Sequence, residues 1–585
     1  MYGVIWDRET GGFLLIDERE QAINGEIRPV FYEELDLLGF DRYWSYPRVE
    51  EPLLWAVGAR RYYYRGELVA EAEGGGLFTR PQLKIHRVGL ELEPVDLKAV
   101  IAKNNSLLQG LVQRSLRLIW QTYMRYKDKV DVIVVAFSGG KDSLVTLDLV
   151  QRVLEPNQFM VVFSDTGMEV QDTYKAVEAA RERWPHLSFY TAKSAKDPQT
   201  TWREMGPPSR IHRWCCVVHK TAPTLLLLRR LTGKASVRAL VFDGVRSEES
   251  PRRSSYLEVT QGGKHKLQTN ASPIISWNSS EVFLYLFSRR LLLNPAYRYG
   301  VVRVGCAVCP MASGWWDVIS GAIYQEDMKS FIDELRIYAI RIGVNEREIN
   351  HYLEDGGWKR RAGGRYLPHG GNRVIQQIEG SKVTFVMRQP TEEWLEWAKA
   401  LGRLVRTGDD QGFIERDGAL YPFIVRRLEK STVVEVENLA YAERSVIDAF
   451  RFVAVKSAYC CHCQACQVEC PTGALEIGER VLIDDKCTAC GMCLNLNGEA
   501  CIAAKSLATS EGDFYMNESK VLHTYEHFGM RKEWVADFLN CPKDWASCND
   551  LGNRQFDAMM MWLKHAELMT GTKKFPTITE LVEKL

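Results

Sequence analysis

Asp131-Val-Ile-Val-Val-Ala-Phe137 runs straight into Ser138-Gly-Gly-Lys-Asp-Ser143, and Leu144, Leu147, Val150 and Leu154 then recur at helical spacing. The apolar run predicts a buried strand, the hexapeptide a turn, and the periodic residues one face of a helix. A strand passing through a Gly-Gly turn into a helix N-terminus builds an anion site. Glycine lets the backbone close around a phosphate, unpaired N–H groups point at it, and the helix dipole favours its charge. Ser138, Gly139, Gly140, Lys141, Asp142 and Ser143 are therefore candidate phosphate-binding residues. The spacing is not that of a Walker A loop, in which four residues separate the first Gly from Gly-Lys-Ser/Thr. A glycine-rich surface turn is the simpler alternative; the strand before it and the helix after it argue for the nucleotide.

Strands and helices alternate from Asp131 onward. Phe159-Met-Val-Val-Phe163 ends in Ser164-Asp-Thr-Gly167, Leu187 to Ala192 reads as a third strand, and Val237 to Phe242 as another. This alternation predicts an α/β fold with a mostly parallel sheet and ligands at the carboxyl ends of its strands. Asp165, Thr166 and Asp243 stand at such ends, where a carboxylate can hold Mg²⁺ or a ribose. An Asp there is also a common turn residue.

The Ser138–Ser143 loop resembles the pyrophosphate loop of the ATP-pyrophosphatase class, which implies ATP with its α phosphate attacked, Mg²⁺, and catalytic roles for Lys141, Asp142 and Arg246. Arg213-Trp-Cys-Cys-Val-Val-His-Lys-Thr-Ala-Pro223 resembles a motif of the phosphoadenosine-phosphosulfate reductase family. So do Gly244-Val-Arg246 with Glu249-Ser250, and Asn294-Pro-Ala-Tyr297 with Gly300 and Gly305-Cys-Ala-Val-Cys-Pro310. The resemblance covers roughly residues 130 to 316 and implies a core of the HUP (adenine nucleotide alpha hydrolase) kind, with Gly244 and Lys220 among the cofactor contacts. Cys215, Cys216, Cys306 and Cys309 are similar to the [4Fe–4S] ligands of assimilatory adenylyl-sulfate reductases. Four thiolates also suit Zn²⁺, and unligated thiols are the third possibility. Lys220, Arg210, Arg213 and Arg246 are expected to bring positive charge to the nucleotide, with Arg252 and Arg253 as weaker candidates.

The second strong pattern is Cys460-x2-Cys463-x2-Cys466-x3-Cys470-Pro471, the run of bacterial ferredoxins. Cys487-x2-Cys490-x2-Cys493 follows, with Cys501 beyond. Because the fourth Cys of each run serves the other cluster, one [4Fe–4S] group is expected on Cys460, Cys463, Cys466 and Cys501. The other is expected on Cys487, Cys490, Cys493 and Cys470. The longer final spacing and the missing Pro leave Cys461 as a rival to Cys501. Zinc knuckles are the alternative for the whole region.

Around these lie a β-rich stretch, 1–95, and a nucleotide domain, 96–316, that opens with a long helix to about Tyr126. An α+β connecting module, 317–455, a ferredoxin-like ββα domain, 456–506, and a helical tail, 507–585, complete the chain. Glu9 to Gly12 is expected to turn a hairpin. Tyr62-Tyr-Tyr64 with Arg60, Arg61 and Arg65 reads as a packed strand before a nucleic-acid surface. The basic loop Gly356 to Arg365 suits a phosphate backbone or plain solvent equally. In the tail, Phe556, Met559, Met560 and Leu563 read as core, and Cys541 and Cys548 as buried thiols.

Seventy-five basic and 75 acidic residues balance, so no global field draws the chain to nucleic acid. Fifteen cysteines at short spacings, no apolar run near the ~20 residues that span a bilayer, and no apolar signal core predict a cytoplasmic metal-thiolate protein without membrane contact.

Three functions follow. The first is an iron–sulfur ATP pyrophosphatase, ATP to AMP and pyrophosphate, that activates an oxygen for replacement by sulfur. It resembles the component of bacterial DNA phosphorothioation systems, which implies a cysteine desulfurase as sulfur donor, an electron donor, and DNA reached through partner subunits. The second is a sulfonucleotide reductase fed by its own ferredoxin domain. The nucleophilic Glu-Cys-Gly-(Leu/Ile)-His motif of such reductases is missing, since Pro542 follows Cys541 and Asn549 follows Cys548. The third is a nucleotide-binding electron-transfer subunit without catalysis. The first is the expectation carried forward.

Overall fold

The computed structural model describes residues 2–17, 22–263, 265–496, 498 and 500–508, with scattered positions between 534 and 582. At its centre is a six-stranded sheet. Its elements are β1 (Val132–Phe137), α1 (Lys141–Gln151), β2 (Met160–Asp165), α2 (Gln171–Arg183), β3 (Phe189–Lys193), α3 (Ala222–Thr232), β4 (Ala239–Phe242), β5 (Val259–Gln261) and β6 (Gln268–Ala271). The strand order is β3-β2-β1-β4-β6-β5, parallel throughout except for β5. Strands β1, β2 and β4 are nearly all apolar because helices cover both faces of a parallel sheet. Leu144, Leu147 and Val150 bury the inner face of α1, as their spacing predicts. The chain leaves β1 for β2 on one side and later sets β4 on the other. This reversal opens a crevice at the carboxyl ends of β1 and β4, where ligands bind in such sheets.

Helix Leu97–Tyr126 flanks this domain, its start capped by Asp96, which accepts from the Ala99 N–H at 2.9 Å. Leu108, Leu111, Val112 and Ile119 are buried along it. Asn104 donates to Phe13 O at 2.9 Å and accepts from Leu15 N at 2.7 Å, so the helix holds the expected hairpin, Gly3–Asp7 with Gly12–Ile16. A five-stranded antiparallel sheet between Ile27 and Ile85 completes the N-terminal region. Tyr62 is buried there against Glu34 at 2.8 Å, and Tyr63 stacks on Trp6, as a packed strand requires.

A six-stranded antiparallel sheet from Val374 to Val436 forms the connecting module. Its one helix is short, Trp394–Ala398, and Arg403–Arg406 pairs as a strand soon after. The basic loop at 356–365 is in part tied to protein, while Arg360, Ala362 and Arg365 are exposed. Lys359 pairs with Asp317 at 2.7 Å, and buried Arg361 donates to Met205 O, Pro207 O, Gly363 O and Ser506. Helix Arg444–Tyr459 then leads into the cysteine-rich stretch, with a small hairpin, Leu475–Ile477 and Val481–Ile483, and helix Ile502–Leu507.

The chain divides into two compact units, Met1–Thr509 and Ser510–Leu585. The tail is not wholly helical: Met569–Gly571 pairs antiparallel with Pro576–Ile578, where β-branched Thr570, Thr577 and Ile578 favour extension. Met559, Met560 and Leu563 are buried with Trp534, Phe538 and Trp545, and Phe556 packs on them, so the stripe is core. Cys541 and Cys548 lie outside the described residues. No helix among the described residues is long and apolar enough to cross a membrane.

Candidate functional site

The Ser138–Ser143 turn sits at the mouth of the crevice. Gly139 has φ +70°, the left-handed conformation that glycine adopts without a Cβ penalty, and Gly140 precedes the first turn of α1. The Ser143 hydroxyl donates to Gly140 O at 2.9 Å and accepts from Ser138 N at 3.1 Å, closing the loop on itself. Gly244, just past β4, lies against the start of α1. A Cβ there would fall 2.6 Å from the Asp142 carbonyl carbon, so only glycine lets the two strand ends approach.

Lys141 and Arg246 are 2% and 1% exposed, and both grip Asp142. Lys141 Nζ donates to Asp142 Oδ2 at 3.1 Å and Arg246 Nε to Oδ1 at 2.7 Å. Burial alone would push the Asp142 carboxyl up; the two cations outweigh it and hold it at about 2. Arg246 also pairs with Glu248 at 2.6 Å and with Glu26 at 3.1 Å. The three expected catalytic residues thus converge, joined by two carboxylates that the sequence did not single out. Glu26 comes from the N-terminal region, where no local pattern marks it.

One continuous segment braces this loop and delivers two cysteines. Asn294 Nδ2 donates to Gly139 O at 3.0 Å, Tyr297 Oη accepts from Lys141 N at 3.1 Å, and Val302 O accepts from Lys141 Nζ at 3.2 Å. A few residues on, Cys306 forms a β-bridge with Glu169, and its Sγ lies 3.7 Å from Thr166 Oγ1, at the end of β2. The other two cysteines of the set, Cys215 and Cys216, occupy a helical turn before α3, and Cys215 is acted on electrostatically by Cys216, Cys306 and Cys309. A hydrogen bond with Cys215 brings the Cys216 thiol down to about 6; burial opposes this, and exposed Lys220 and Arg213 add to it. Burial, followed by Glu169, raises Cys306 to about 12.

Other candidates are engaged elsewhere. Asp165 accepts from Gly167 N and Tyr174 Oη, both at 2.8 Å, and faces Lys193 at 3.3 Å. Asp243 accepts from Asn270 at 2.8 Å and Ser272 at 2.7 Å, which makes it a brace for β6. Arg210 donates its N–H to Lys359 O, Arg253 pairs with Glu249, and Arg252 lies exposed on the short helix Pro251–Ser254.

Residues 132–312 match the model of the phosphoadenosine phosphosulfate reductase domain. The chain is 27% identical over 372 residues to an uncharacterized protein of Methanocaldococcus jannaschii, covering 58% of this chain and 86% of that one. It is 30% identical over 194 residues to an adenosine 5'-phosphosulfate reductase of Geobacillus sp., covering 33% of this chain and 77% of the relative. The chain belongs to the phosphoadenosine phosphosulfate reductase family. Among solved structures, a phosphoadenylyl-sulfate reductase from Candida auris aligns at 17% identity over 36% of this chain and 95% of its own, with a TM-score of 0.27.

This member of the phosphoadenosine phosphosulfate reductase family carries its second cysteine region docked on the first. Arg229 of α3 donates to Gln467 O at 2.8 Å, Val468 O at 2.7 Å and Cys470 O at 2.9 Å. Helix Ile502–Leu507, which starts beside Cys501, packs on the Trp214–Cys216 turn. Cys470, Cys487, Cys490 and Cys493 line one small pocket, the set paired from their spacing. Cys501 acts electrostatically on Cys460, and so do Cys466 and Cys463; Cys461 lies close to Cys463 as well. The two Cys-x-x-Cys turns repeat one backbone signature. His462 and Gln464 flank Cys463 at φ +57° and +61°, as Ala489 and Gly491 flank Cys490 at φ +50° and +69°. Such left-handed residues are costly outside glycine, and here they recur at matching positions in both halves. Turns of this kind aim successive N–H groups into a concavity that suits anionic groups, iron–sulfur clusters among them. The donor set and the backbone therefore fit thiolate-bound clusters. Among the described residues, no group of three or more His, Cys, Asp or Glu is drawn together as the site of a single metal ion.

Proposed function

We propose that this chain is an iron–sulfur sulfonucleotide reductase that draws electrons through its own cysteine-rich region. The observation carrying this reading is the 294–309 segment, which holds the nucleotide loop through Asn294 and Tyr297 and sets Cys306 against Thr166 at the end of β2. The named adenosine 5'-phosphosulfate reductase relative supports a sulfonucleotide as the substrate class. The reaction is adenylyl sulfate plus two electrons and one proton to AMP and hydrogensulfite; the S–O bond to the phosphate breaks and sulfur is reduced.

Cys215, Cys216, Cys306 and Cys309 would hold one [4Fe–4S] group. Cys460, Cys463, Cys466 and Cys501 would hold a second, and Cys470, Cys487, Cys490 and Cys493 a third. These groups, when bound, supply one-electron storage in place of the nucleophilic cysteine that the sequence lacks. The glycine turn at Gly139 and Gly140 and the N-terminus of α1 would receive phosphate, while the Ser138 and Lys141 N–H groups are held by Ser143 and Tyr297. Lys220 and Arg213, exposed beside Cys216, attract the sulfate end of the substrate.

A second reading is favoured by the intact Ser138-Gly-Gly-Lys-Asp-Ser143 loop: ATP cleaved to AMP and pyrophosphate, with Mg²⁺, to activate an oxygen for replacement by sulfur. Its most specific form is DNA phosphorothioation supplied by a cysteine desulfurase. The purified, iron-loaded chain separates the two when given adenylyl sulfate with dithionite and, separately, ATP with Mg²⁺. Sulfite and AMP from the first mixture support the reductase. Pyrophosphate from the second, without sulfite from the first, replaces it with the pyrophosphatase. Tight ATP binding with turnover of neither substrate removes both.

A further inference from the structure

Lys456 lies on the inward face of helix Arg444–Tyr459 and is 1% exposed. Burying an ammonium is costly unless a counter-charge accompanies it. Among the described residues, Lys456 pairs with no carboxylate. Its Nζ donates instead to Cys466 Sγ at 2.9 Å and stands 4.9 Å from the centroid of the Trp397 ring. Cys466 belongs to the set with Cys460, Cys463 and Cys501, so this bond places the buried cation on that set, with sulfur as its counter-ion. A neutral thiol is a weak acceptor, whereas sulfur in an anionic thiolate shell offsets the charge well.

We propose that Lys456 raises the reduction potential of the iron–sulfur group on Cys460, Cys463, Cys466 and Cys501 above that of the group on Cys470, Cys487, Cys490 and Cys493. This rests on the iron–sulfur reading given under Proposed function. Reduction adds one negative charge to a group, and a fixed cation that hydrogen-bonds a ligating sulfur lowers the cost of that charge. The consequence is a direction. Cys490 is exposed and marks the entry side, while helix Ile502–Leu507 carries the Cys501 end to the Cys215–Cys216 turn. Held on Cys470, Cys487, Cys490 and Cys493 and on Cys460, Cys463, Cys466 and Cys501, the two groups would let an electron from an external one-electron donor pass from the first set of residues to the second, with no bond made or broken.

The test uses the full chain loaded with iron and sulfide, as wild type, Lys456→Met and Lys456→Arg. Iron content is measured, and midpoints are read by redox titration followed by electron paramagnetic resonance. Equal iron, one midpoint lower in Lys456→Met by at least 59 mV, a tenfold change for one electron, and recovery in Lys456→Arg are expected. An unmoved midpoint in iron-replete Lys456→Met overturns the proposal. Should that variant fail to hold iron, reduced wild type made with isotope-labelled lysine decides. Hyperfine coupling to a lysine nitrogen supports the role, and its absence overturns it. Wild type that takes up no iron defeats the parent reading, and this one with it.

Discussion

Arg246 Nε donates to Asp142 Oδ1 at 2.7 Å, and through this bond the end of β4 is tied to the first turn of α1 across the crevice. Lys141 takes the other oxygen, and Glu26 and Glu248 close the circle around Arg246. The cluster is buried, so removing one charge leaves the others without compensation.

Asp142→Asn is expected to destabilise the fold by about 3 kcal/mol, the scale of a broken buried ion pair, and to abolish nucleotide turnover. The pH dependence has a definite sign. The folded carboxyl sits at about 2 against an ordinary 3.8, so its contribution is complete above the ordinary value and fades as pH falls toward the folded one. Urea unfolding of wild type and variant should therefore differ by a constant amount near neutrality and converge in that acid window. A gap that persists at pH 2 would contradict the assignment.

Gly244→Ala forces a methyl group against the backbone of Asp142 and Ser143, at 2.6 and 2.8 Å. Overpacking of this kind costs ~1–3 kcal/mol, and here it opens the crevice as well. A lower melting temperature together with weakened nucleotide binding by calorimetry is the expected pair of results. Normal binding would show that the close approach of the two strand ends does not shape the site.

Asn294→Ala removes the bond to Gly139 O and, with it, the cap that Asn294 Oδ1 gives the Ala296 N–H at 3.0 Å. One hydrogen bond is worth ~1 kcal/mol, so nucleotide affinity should fall roughly fivefold to tenfold. Equilibrium titration with the nucleotide checks this; unchanged affinity would remove Asn294 as a brace of the loop.

On the proposed reading, three [4Fe–4S] groups would bring ~12 iron atoms per chain. Cys306→Ser should lower iron and acid-labile sulfide by about a third while the cysteine-rich region keeps its own spectrum. Zinc without sulfide in the wild type would instead establish the zinc alternative.

The nucleotide loop was legible because each part of it is local: an apolar strand, two glycines, and a helix of clear period. Cys470, Cys487, Cys490 and Cys493, grouped by their spacing, line one pocket. Glu26 was not legible, because an isolated acid in Asn24-Gly25-Glu26 acquires meaning only when the N-terminal sheet packs against Arg246. The bonds of Asp243 to Asn270 and Ser272 were not legible, because both partners arrive with a later strand. In the loop at 356–365 composition alone could not mark Arg361, whose main-chain carbonyl partners Met205, Pro207 and Ser506 come from distant segments. Lys456 left one faint signal, a lysine on the apolar side of a helix among Val453, Ala454 and Ala458.

The three carbonyls held by Arg229 belong to the loop that bears Cys466 and Cys470, and the arginine itself belongs to the helix that follows Cys216. A connection of that kind leaves no swinging arm between the two regions. Charge transfer inside this protein would then proceed through stationary matter, at a pace indifferent to the thickness of the surrounding medium, and glycerol should slow the arrival of an outside donor without slowing what happens afterwards.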